Sequence, residues 1–383
     1  MAWTPEDADT EASMESQLMA RITDTLIRLA GIPSRSGQED GVREWIGERL
    51  AALRLATRVD ASGNLIARVP AVPESREREV PILLNAHMDR VPPGEAHLPV
   101  IEDGIMRSDG STNLGADNSA GIAIVLHAAE EIIRRGLPHP PLLLVFTTGE
   151  EVGLHGAKGF DPAPWGTREG IVFDNAGEPG VVVTRAATYI AFDVTLHGSG
   201  GHPGKGLDGT ASAIEMFRRA RYPFGTLHAG QTRVSIGRIE GGTMRNAVPT
   251  TARVLGEART LLGAAERERL MEEIANAFVT AAESLGGSAE ISFDSHCDGY
   301  EVDTAEPLLR AWESALATEG EPLRTVTTFI GSDASAFRPA VRVFTVSTGA
   351  MNEHTIDEWI AIAPLGNLVE TALRVLSTYE AKK

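Results

Sequence analysis

Short apolar segments alternate with amphipathic helical segments along this chain, and a stretch of different texture interrupts them. The apolar segments resemble strands that are buried on both faces of a sheet, and they lie at 80–89 (VPILLNAHMD), 140–151 (PPLLLVFTTGEE) and 170–177 (GIVFDNAG). Apolar residues at helical spacing predict helices over 17–30, 39–56 and 119–136. This alternation predicts an α/β catalytic domain with a central sheet flanked by helices.

The pattern changes near Thr184, where residues 189–198 (YIAFDVTLHG) begin to alternate apolar and polar side chains. A helix, two strand-like runs, a long helix and a last strand follow, at 209–222, 232–242, 247–260, 264–286 and 288–294. The order β-α-β-β-α-β predicts an inserted α+β domain of the split βαβ, ferredoxin-like type. The expected divisions are an N-terminal tail (1–16), a first catalytic part (17–185), the inserted domain (186–298) and a second catalytic part (299–383).

The charge of the chain excludes several classes of partner. It has 35 Lys and Arg residues against 53 Asp and Glu residues, a net charge of −18. Such a chain repels phosphate backbones and anionic membrane surfaces, so we expect neither nucleic acid nor membrane as a partner. The acidic N-terminus lacks the apolar core of a signal peptide, and the single cysteine, Cys297, fits a reducing compartment. We therefore expect a cytoplasmic protein.

Candidate metal ligands lie where the predicted buried strands end, which is where open α/β sheets bind ligands. His87 and Asp89 share one face of their strand, and a carboxylate beside a histidine can orient the ring toward a metal. Glu150 and Glu151 end the next strand. Adjacent like charges repel unless a cation or proton separates them, so one glutamate could bind a metal while the other acts as a general base. Asp174 ends the third strand.

Two more candidates lie in loops: Asp117 precedes the helix that starts at Ser119, and His354 lies beside Glu353. Simpler explanations exist for each candidate: a strand terminus, a helix N-cap or Asx turn, a solvated helix start, or a surface histidine. One cysteine rules out a thiolate cluster, which leaves histidine and carboxylate ligands. Five such ligands that share one carboxylate could hold two metal ions, as hydrolytic two-metal sites do.

Eight motifs, in this order and spacing, resemble those of the co-catalytic zinc metallopeptidases, the family of peptidase T, aminoacylase and the glutamate-releasing carboxypeptidases. They are NAHMDRVP, LGADNSAG, TTGEEVGLHGA, FDNAG, GSGGHPG, GGTMRNAVP, IGSDASAF and NEHT. The resemblance covers nearly all of the chain after the tail, and TTGEEVG, GSDAS and NEHT look most like peptidase T and its relatives. It implies hydrolysis of amide bonds in short peptides by an exopeptidase of the aminopeptidase or tripeptidase type, which acts from the amino end. It also implies a homodimer formed through the inserted domain, which would act as a lid as well. An N-acyl-amino-acid amidohydrolase or a carboxypeptidase-type activity is the alternative.

The resemblance also implies a role for each residue of the metal centre. Two zinc ions per subunit are implied, although manganese or cobalt could take their place. The ligands would be His87 and Asp174 for one ion, Glu151 and His354 for the other, and Asp117 bridging both. Glu150 would be the general base and then the general acid, and Asp89 would orient His87. A silent binding module of the same fold would have lost the base or a ligand, whereas all of these residues are present.

Substrate contacts are implied on both domains. His202, in GSGGHPG, would stabilise the oxyanion, often in the site of the partner subunit, and Asn246 would hydrogen-bond substrate. Arg259 would suit a substrate carboxylate, and Ser332 and Asp333 are further candidate contacts. The chain departs from the family pattern at Glu257, Ile330 and Ser335, where relatives have aspartate, glycine and asparagine.

Overall fold

The computed structural model of this protein describes the backbone of residues 5–380 and the side chains of 15–77 and 79–380. The chain divides into two compact units. The first contains the chain up to Thr184, together with Glu301–Thr327 and the segment from Ser332 onward. The second contains Arg185–Tyr300 and Thr328–Gly331. The second unit therefore comes mostly from one continuous segment, flanked in sequence by the larger parts of the first.

Helices and strands are distributed over the two units as follows. The helices are α1 (Pro5–Ala30), α2 (Asp40–Ala52), α3 (Ala116–Arg135), α4 (His155–Gly159), α5 (Ala213–Arg219), α6 (Ala264–Glu283), α7 (Pro307–Ala317), α8 (Asp333–Phe337) and α9 (Ala363–Thr378). The strands are β1 (Thr57–Val59), β2 (Leu65–Val69), β3 (Ile82–His87), β4 (Val100–Glu102), β5 (Ile105–Arg107), β6 (Leu142–Thr147), β7 (Glu169–Phe173), β8 (Val182–Ala186), β9 (Thr188–His197), β10 (Gly225–Leu227), β11 (Thr232–Gly241), β12 (Thr251–Thr260), β13 (Ser288–Cys297), β14 (Tyr300–Glu301), β15 (Thr325–Thr328), β16 (Arg342–Val346), β17 (Ala350–Met351) and β18 (Trp359–Ala361).

A mixed sheet forms the centre of the first unit, with the strand order β1-β2-β6-β3-β7-β16-β8-β14 and with β15 paired to β8. Its middle strands β6, β3, β7 and β16 are parallel, whereas β2 and β8 pair antiparallel on either side. Strands β3, β6 and β7 are buried along their whole length, which explains their apolar sequences. Because parallel strands end at the same edge, the residues that follow β6, β3 and β7 lie side by side.

Helix α3 packs on β3 and β7 and against α1 and α9, while α2 packs on β1 and β2. The backbone of Asp117 and Asn118 is not helical, so the regular part of α3 begins near the predicted start at Ser119. The helix ends at Gly136 in the left-handed conformation (φ 61°), as its sequence indicates. The expected α/β sheet flanked by helices is confirmed. Within residues 5–380, no helix combines the length and the apolar character that a membrane span needs.

A separate four-stranded sheet with the order β17-β18-β5-β4 was not predicted from the sequence. Its strands are two or three residues long, which is too short for side-chain alternation to be recognised. Pairing of β18 with β5 places Ile360 opposite Met106. This sheet therefore brings the β17–β18 connection close to the loop that leads from β5 to α3.

The second unit contains an antiparallel sheet with the order β10-β11-β12-β9-β13. Helices α5 and α6 pack on it, and alternate side chains of β9 are buried along all ten residues. Phe192 and Val194 of β9 join Ile274 and Phe278 of α6 in one apolar core. The chain order β9-α5-β11-β12-α6-β13 is the predicted split βαβ arrangement, which is confirmed with β10 as an additional short strand.

The N-terminal part of the first unit differs from the prediction. Helix α1 begins at Pro5, so residues 5–16 are helical and the predicted helix start at residue 17 is wrong. Residues 1–4 of the predicted tail lie outside the described residues. The sequence before Leu18 is mostly polar, so no apolar stripe marks this part of the helix.

Glu131 of α3 links this helix to α1. Its buried carboxylate accepts hydrogen bonds from Arg21 Nη2 of α1 (2.5 Å), Arg134 Nη2 (2.5 Å) and Arg135 Nε (2.6 Å). Burial opposes ionisation of Glu131, but the three guanidinium groups outweigh it and lower its pKa to about 2.

We expect Glu131→Gln to lower the free energy of unfolding by about 1–2 kcal/mol at pH 7, since it removes a charge that three arginines share. The pKa of Glu131 is lower in the folded than in the unfolded protein. Its contribution to the free energy of unfolding is therefore complete above the unfolded pKa of about 4.3 and is lost as the pH falls toward 2. Denaturant unfolding at pH 7 and pH 3 measures it, with the exposed Glu48→Gln as the control. An equal loss at both pH values would contradict this account.

Candidate active site

The carboxyl ends of three adjacent parallel strands carry predicted site residues. β3 ends at His87, Glu150 and Glu151 follow β6, and Asp174 directly follows β7. β3 lies between β6 and β7, so His87 is flanked on both sides by acidic strand ends. The sheet thus assembles at one edge side chains that are far apart in sequence.

His87 faces two carboxylates through its Nε2 atom, which lies 3.2 Å from Asp117 Oδ1 and 3.8 Å from Asp174 Oδ1. Its Nδ1 atom lies 3.0 Å from the backbone carbonyl oxygen of Asp89. A carbonyl oxygen only accepts hydrogen bonds, so Nδ1 carries a proton and donates it there. In the neutral ring the lone pair of Nε2 therefore points toward Asp117 and Asp174, which is the orientation that a metal ligand needs.

His354 approaches the same central carboxylate from the β17–β18 connection. Its Nε2 atom lies 3.4 Å from Asp117 Oδ2 and 3.1 Å from Glu151 Oε1. Asp117 therefore has one oxygen near each histidine, which is the arrangement of a bridging carboxylate. Ligand atoms of His87, Asp117 and Glu151 all lie within 4.8 Å of one another.

Asp89 supports the turn that carries both glutamates. Its Oδ1 accepts a hydrogen bond from the backbone N–H of Glu150 (2.9 Å), and its Oδ2 accepts from that of Glu151 (3.2 Å) and from the Ser36 hydroxyl (2.6 Å). Its Oδ1 is also 3.4 Å from Nδ1 of His87. Asp89 thus contacts both the histidine it was predicted to orient and the turn after β6.

Sequence reasoning missed a second buried carboxylate at this turn. Glu39, just before α2, accepts a hydrogen bond through Oε1 from the backbone N–H of Gly149 at 3.1 Å. The same oxygen accepts from the N–H of Gly37 at 2.9 Å. No local pattern connects Glu39 with a turn 110 residues further along the chain, so the sequence gives no signal for this contact.

Burial and the crowding of like charges shift the pKa values of the carboxyl groups of the site. Burial, reinforced by the Asp117 carboxylate and only partly offset by His87, raises the pKa of Asp174 to about 7. Burial likewise raises the pKa of Glu150 well above its usual range, and Asp174 is among the charges that add to it. Burial also disfavours the charged form of Asp117, but hydrogen bonds from His354 and His87 outweigh it and hold its pKa well below the usual range.

The donor set fits divalent metal ions. Two imidazole nitrogens and three carboxylates are ligands that zinc, manganese and cobalt accept. Hydrogen bonds to Asp117 and Glu151 raise the pKa of His354 to about 10, which shows that this crowded negative charge attracts positive charge. A histidine must be neutral to bind a metal, so metal ions would take the place of these protons.

The other predicted contacts divide between the two units. In the second unit, His202 is exposed and accepts a hydrogen bond through Nδ1 from the N–H of Gly204 (3.1 Å), Asn246 is exposed, and Arg259 is half-buried. In the first unit, Ser332 and Asp333 are buried at the start of α8. The roles assigned to these five residues stay predictions.

Protein groups already contact Ser332 and Asp333, the buried pair at the start of α8. Asp333 Oδ2 accepts hydrogen bonds from the Thr147 hydroxyl and from Asn85 Nδ2 (3.2 Å), and the hydroxyls of Ser332 and Thr345 are 3.2 Å apart. Among the departures from the family pattern, Ser335 is also buried, whereas Ile330 is 55% exposed.

The protein thus combines a split βαβ insertion with a mixed sheet that carries histidine and carboxylate side chains at its carboxyl edge, where a metal ion could bind. Residues 83–378 match the profile of Peptidase family M20/M25/M40, and the chain belongs to that family. The family resemblance expected from the motifs is therefore confirmed, and with it the assignment as a hydrolase.

Two solved structures are similar to nearly the whole chain. Aminopeptidase PepT from Bacillus cereus has a TM-score of 0.86 at 27% identity, and the match covers 94% of this chain and 98% of that chain. A tripeptidase from Staphylococcus aureus has a TM-score of 0.88 at 27% identity, with the same coverage of 94% and 98%. Among sequence relatives, the uncharacterized protein YqjE of Bacillus subtilis is 28% identical over 371 residues, covering 94% of this chain and 98% of that protein.

We expect zinc, manganese or cobalt ions to raise the thermal unfolding midpoint of the metal-free protein, because ions that bind only the folded state stabilise it by mass action. Asp117→Asn should lose most of this rise, since it removes the charge between the two histidines. The control is Asp103→Asn, at an exposed turn whose positive φ asparagine also tolerates. An unchanged midpoint of the unsubstituted protein at millimolar metal would count against the site.

Proposed function

We propose that this protein is a two-metal exopeptidase that cleaves short peptides from the amino end. The observation that carries the proposal is that the two glutamates after β6, Glu150 and Glu151, have different neighbours. Glu151 contacts His354, whereas Glu150 lies among the charges around His87 and Asp174. One glutamate can thus bind metal while its neighbour moves a proton. Similarity to a solved aminopeptidase and a solved tripeptidase supports peptide substrates for this chain.

The five candidate ligands would divide between two metal ions, zinc being the first choice. His87 and Asp174 would hold one ion, Glu151 and His354 the other, and Asp117 would contact both. Bound there, the ions would polarise the scissile carbonyl and lower the pKa of the attacking water.

Proton transfer in the proposed reaction belongs to Glu150. As general base it would accept the proton of the attacking water, and as general acid it would return this proton to the leaving amine. Asp89 would keep Glu150 in place through the hydrogen bond to its backbone N–H. His202 would donate a hydrogen bond to the oxyanion, and Asn246 would hydrogen-bond substrate.

The surroundings of Arg259 favour cleavage from the amino end over the two alternatives. Its Nε donates to Glu257 Oε1 at 3.0 Å, its Nη1 donates to the carbonyl oxygen of Phe329 at 2.9 Å, and the guanidinium lies 4.4 Å from the centre of the Tyr189 ring. A substrate carboxylate would have to displace Glu257, one of the residues at which this chain departs from its family pattern. A substrate class defined by a free carboxyl end, such as acyl amino acids or carboxypeptidase substrates, is therefore less suited to this arginine.

The second unit would act as the lid and dimerisation domain, with boundaries near residues 185/186 and 298/299. A homodimer is supported by the exposed Ile214 of α5 and by β13, which forms an edge of its sheet. The single cysteine and the acidic charge support a place in the cytoplasm. In such a dimer, His202 would belong either to the active site of its own subunit or to that of the partner subunit.

Glu150→Ala is expected to retain its metal ions and to lower kcat by several orders of magnitude, because it removes the proton carrier and no ligand. Metal content by elemental analysis and turnover of a tripeptide measure the two effects separately. Turnover close to that of the unsubstituted protein would remove Glu150 from its role.

The end of the peptide from which cleavage occurs can be tested with matched sets of peptides. We expect di-, tri- and tetrapeptides with a free amino end to be cleaved, amino-acetylated peptides to resist, and carboxyl-amidated peptides to remain substrates, because Arg259 is already paired. N-acetyl amino acids are the competing set. Cleavage of these alone, or loss of cleavage on amidation, would establish one of the alternatives.

Complementation between inactive chains tests the position of His202. If His202 acts across a homodimer, coexpressed His202→Ala and Glu150→Ala chains form mixed dimers with one intact site, and about a quarter of full activity returns. If it acts within its own chain, the mixture stays as inactive as each variant alone. Size-exclusion chromatography of both variants checks that they assemble like the unsubstituted protein.

A further inference from the structure

A buried glutamate joins the two loops that carry His354 and Asp117. Glu358 lies four residues after His354, directly before β18, and is 1% exposed. Its Oε2 accepts a hydrogen bond from the backbone N–H of Gly115 at 2.7 Å, and its Oε1 accepts from that of Asp117 at 2.9 Å. One carboxylate therefore spans the amino end of α3 and holds the backbone of the central carboxylate residue itself.

The backbone around Glu358 keeps this contact in register. The carbonyl oxygen of Glu358 accepts a hydrogen bond from the N–H of Ser108 at 3.3 Å, which continues the pairing of β18 with β5. Both ends of the β5–α3 loop are thus attached to the same residue. An unpaired backbone N–H that is buried costs free energy, and a charged acceptor at a helix amino end is favourable, so the contact stabilises one arrangement of this loop.

Arg90 also packs against this loop. Its buried guanidinium donates to the carbonyl oxygens of Ile32 (2.6 Å) and Gly94 (3.3 Å), and a Cβ added at Gly115 would come within 2.7 Å of its Nη1 atom. Gly115 has a φ of +75°, which also favours glycine. The loop before Asp117 therefore contacts both Arg90 and Glu358 at Gly115.

We infer that Glu358 is a positioning residue that sets the placement of Asp117 relative to His354, and so tunes metal affinity without touching metal or substrate. The inference rests on the proposed metal site. It follows because the carboxylate is anchored in the segment of His354 and reaches the backbone of Asp117. A shift of that backbone would change the 3.4 Å separation of His354 Nε2 and Asp117 Oδ2.

Two substitutions separate the reach of Glu358 from its charge. Glu358→Gln keeps the shape but turns one acceptor oxygen into an N–H₂ group that cannot accept from a backbone N–H. Glu358→Asp keeps the charge but is too short to reach both amides from the same backbone. The matched control is Asp357→Asn, which changes the exposed neighbouring carboxylate.

The experiment measures cobalt and zinc affinity by competition with a chelator, kcat and KM for a tripeptide at limiting and saturating metal, and amide hydrogen exchange at Gly115 and Asp117. We expect both Glu358 variants to bind metal about 10- to 100-fold more weakly, as loss of such outer partners usually does. Hydrogen exchange at the two amides should be faster. At limiting metal, kcat should fall, and excess metal should restore kcat, while KM should stay unchanged. Asp357→Asn should match the unsubstituted protein.

Unchanged metal affinity and unchanged amide exchange in Glu358→Gln would overturn the inference. If that variant does not fold, Glu358→Asp decides alone, and affinity equal to that of the unsubstituted protein would overturn it. Failure of the proposed function looks different, since the unsubstituted protein would then neither bind metal nor cleave peptides. Exchange at Gly115 and Asp117 would still report whether Glu358 holds the loop.

Discussion

The crowding of negative charge at one edge of the central sheet is the constraint on which the rest of the site depends. Parallel strands β6, β3 and β7 deliver acidic residues to the same edge, and Asp117 enters between His87 and His354. Buried carboxylates this close repel one another unless positive charge lies between them. Burial opposes a charge on His87, but the neighbouring carboxylates outweigh it and raise its pKa, as they raise that of His354. A pair of divalent ions would supply the same positive charge.

Backbone hydrogen bonds allow the protein to hold this unfavourable arrangement. Asp89 and Glu39 accept from the turn after β6, and Glu358 accepts from the loop before α3. The supporting groups are themselves carboxylates, so they add to the negative potential while they fix the loops. The rigidity of the site thus comes from backbone amides at turns and at a helix amino end, where a negative acceptor is favourable.

The sequence predicted which candidate residues lie at strand ends, because an apolar run followed by a charged or polar residue is a local pattern that places His87, Glu150 and Asp174. It did not predict Glu358, since contacts between residues more than 240 positions apart leave no local trace. The small sheet that brings its loop to Asp117 has strands too short to recognise, and the polar start of α1 has no apolar stripe. The pairing of Arg259 with Glu257 depends on side-chain geometry across two positions of β12, which the sequence motif does not show.

Location of the bound ions is the most direct test of the central claim. Anomalous diffraction from crystals of the zinc-loaded protein, recorded on both sides of the zinc absorption edge, should show two peaks in each chain. One should contact His87 and Asp174, the other should contact Glu151 and His354, and Asp117 should contact both. A single peak distant from Asp117, or no peak at this edge of the sheet, would contradict the account.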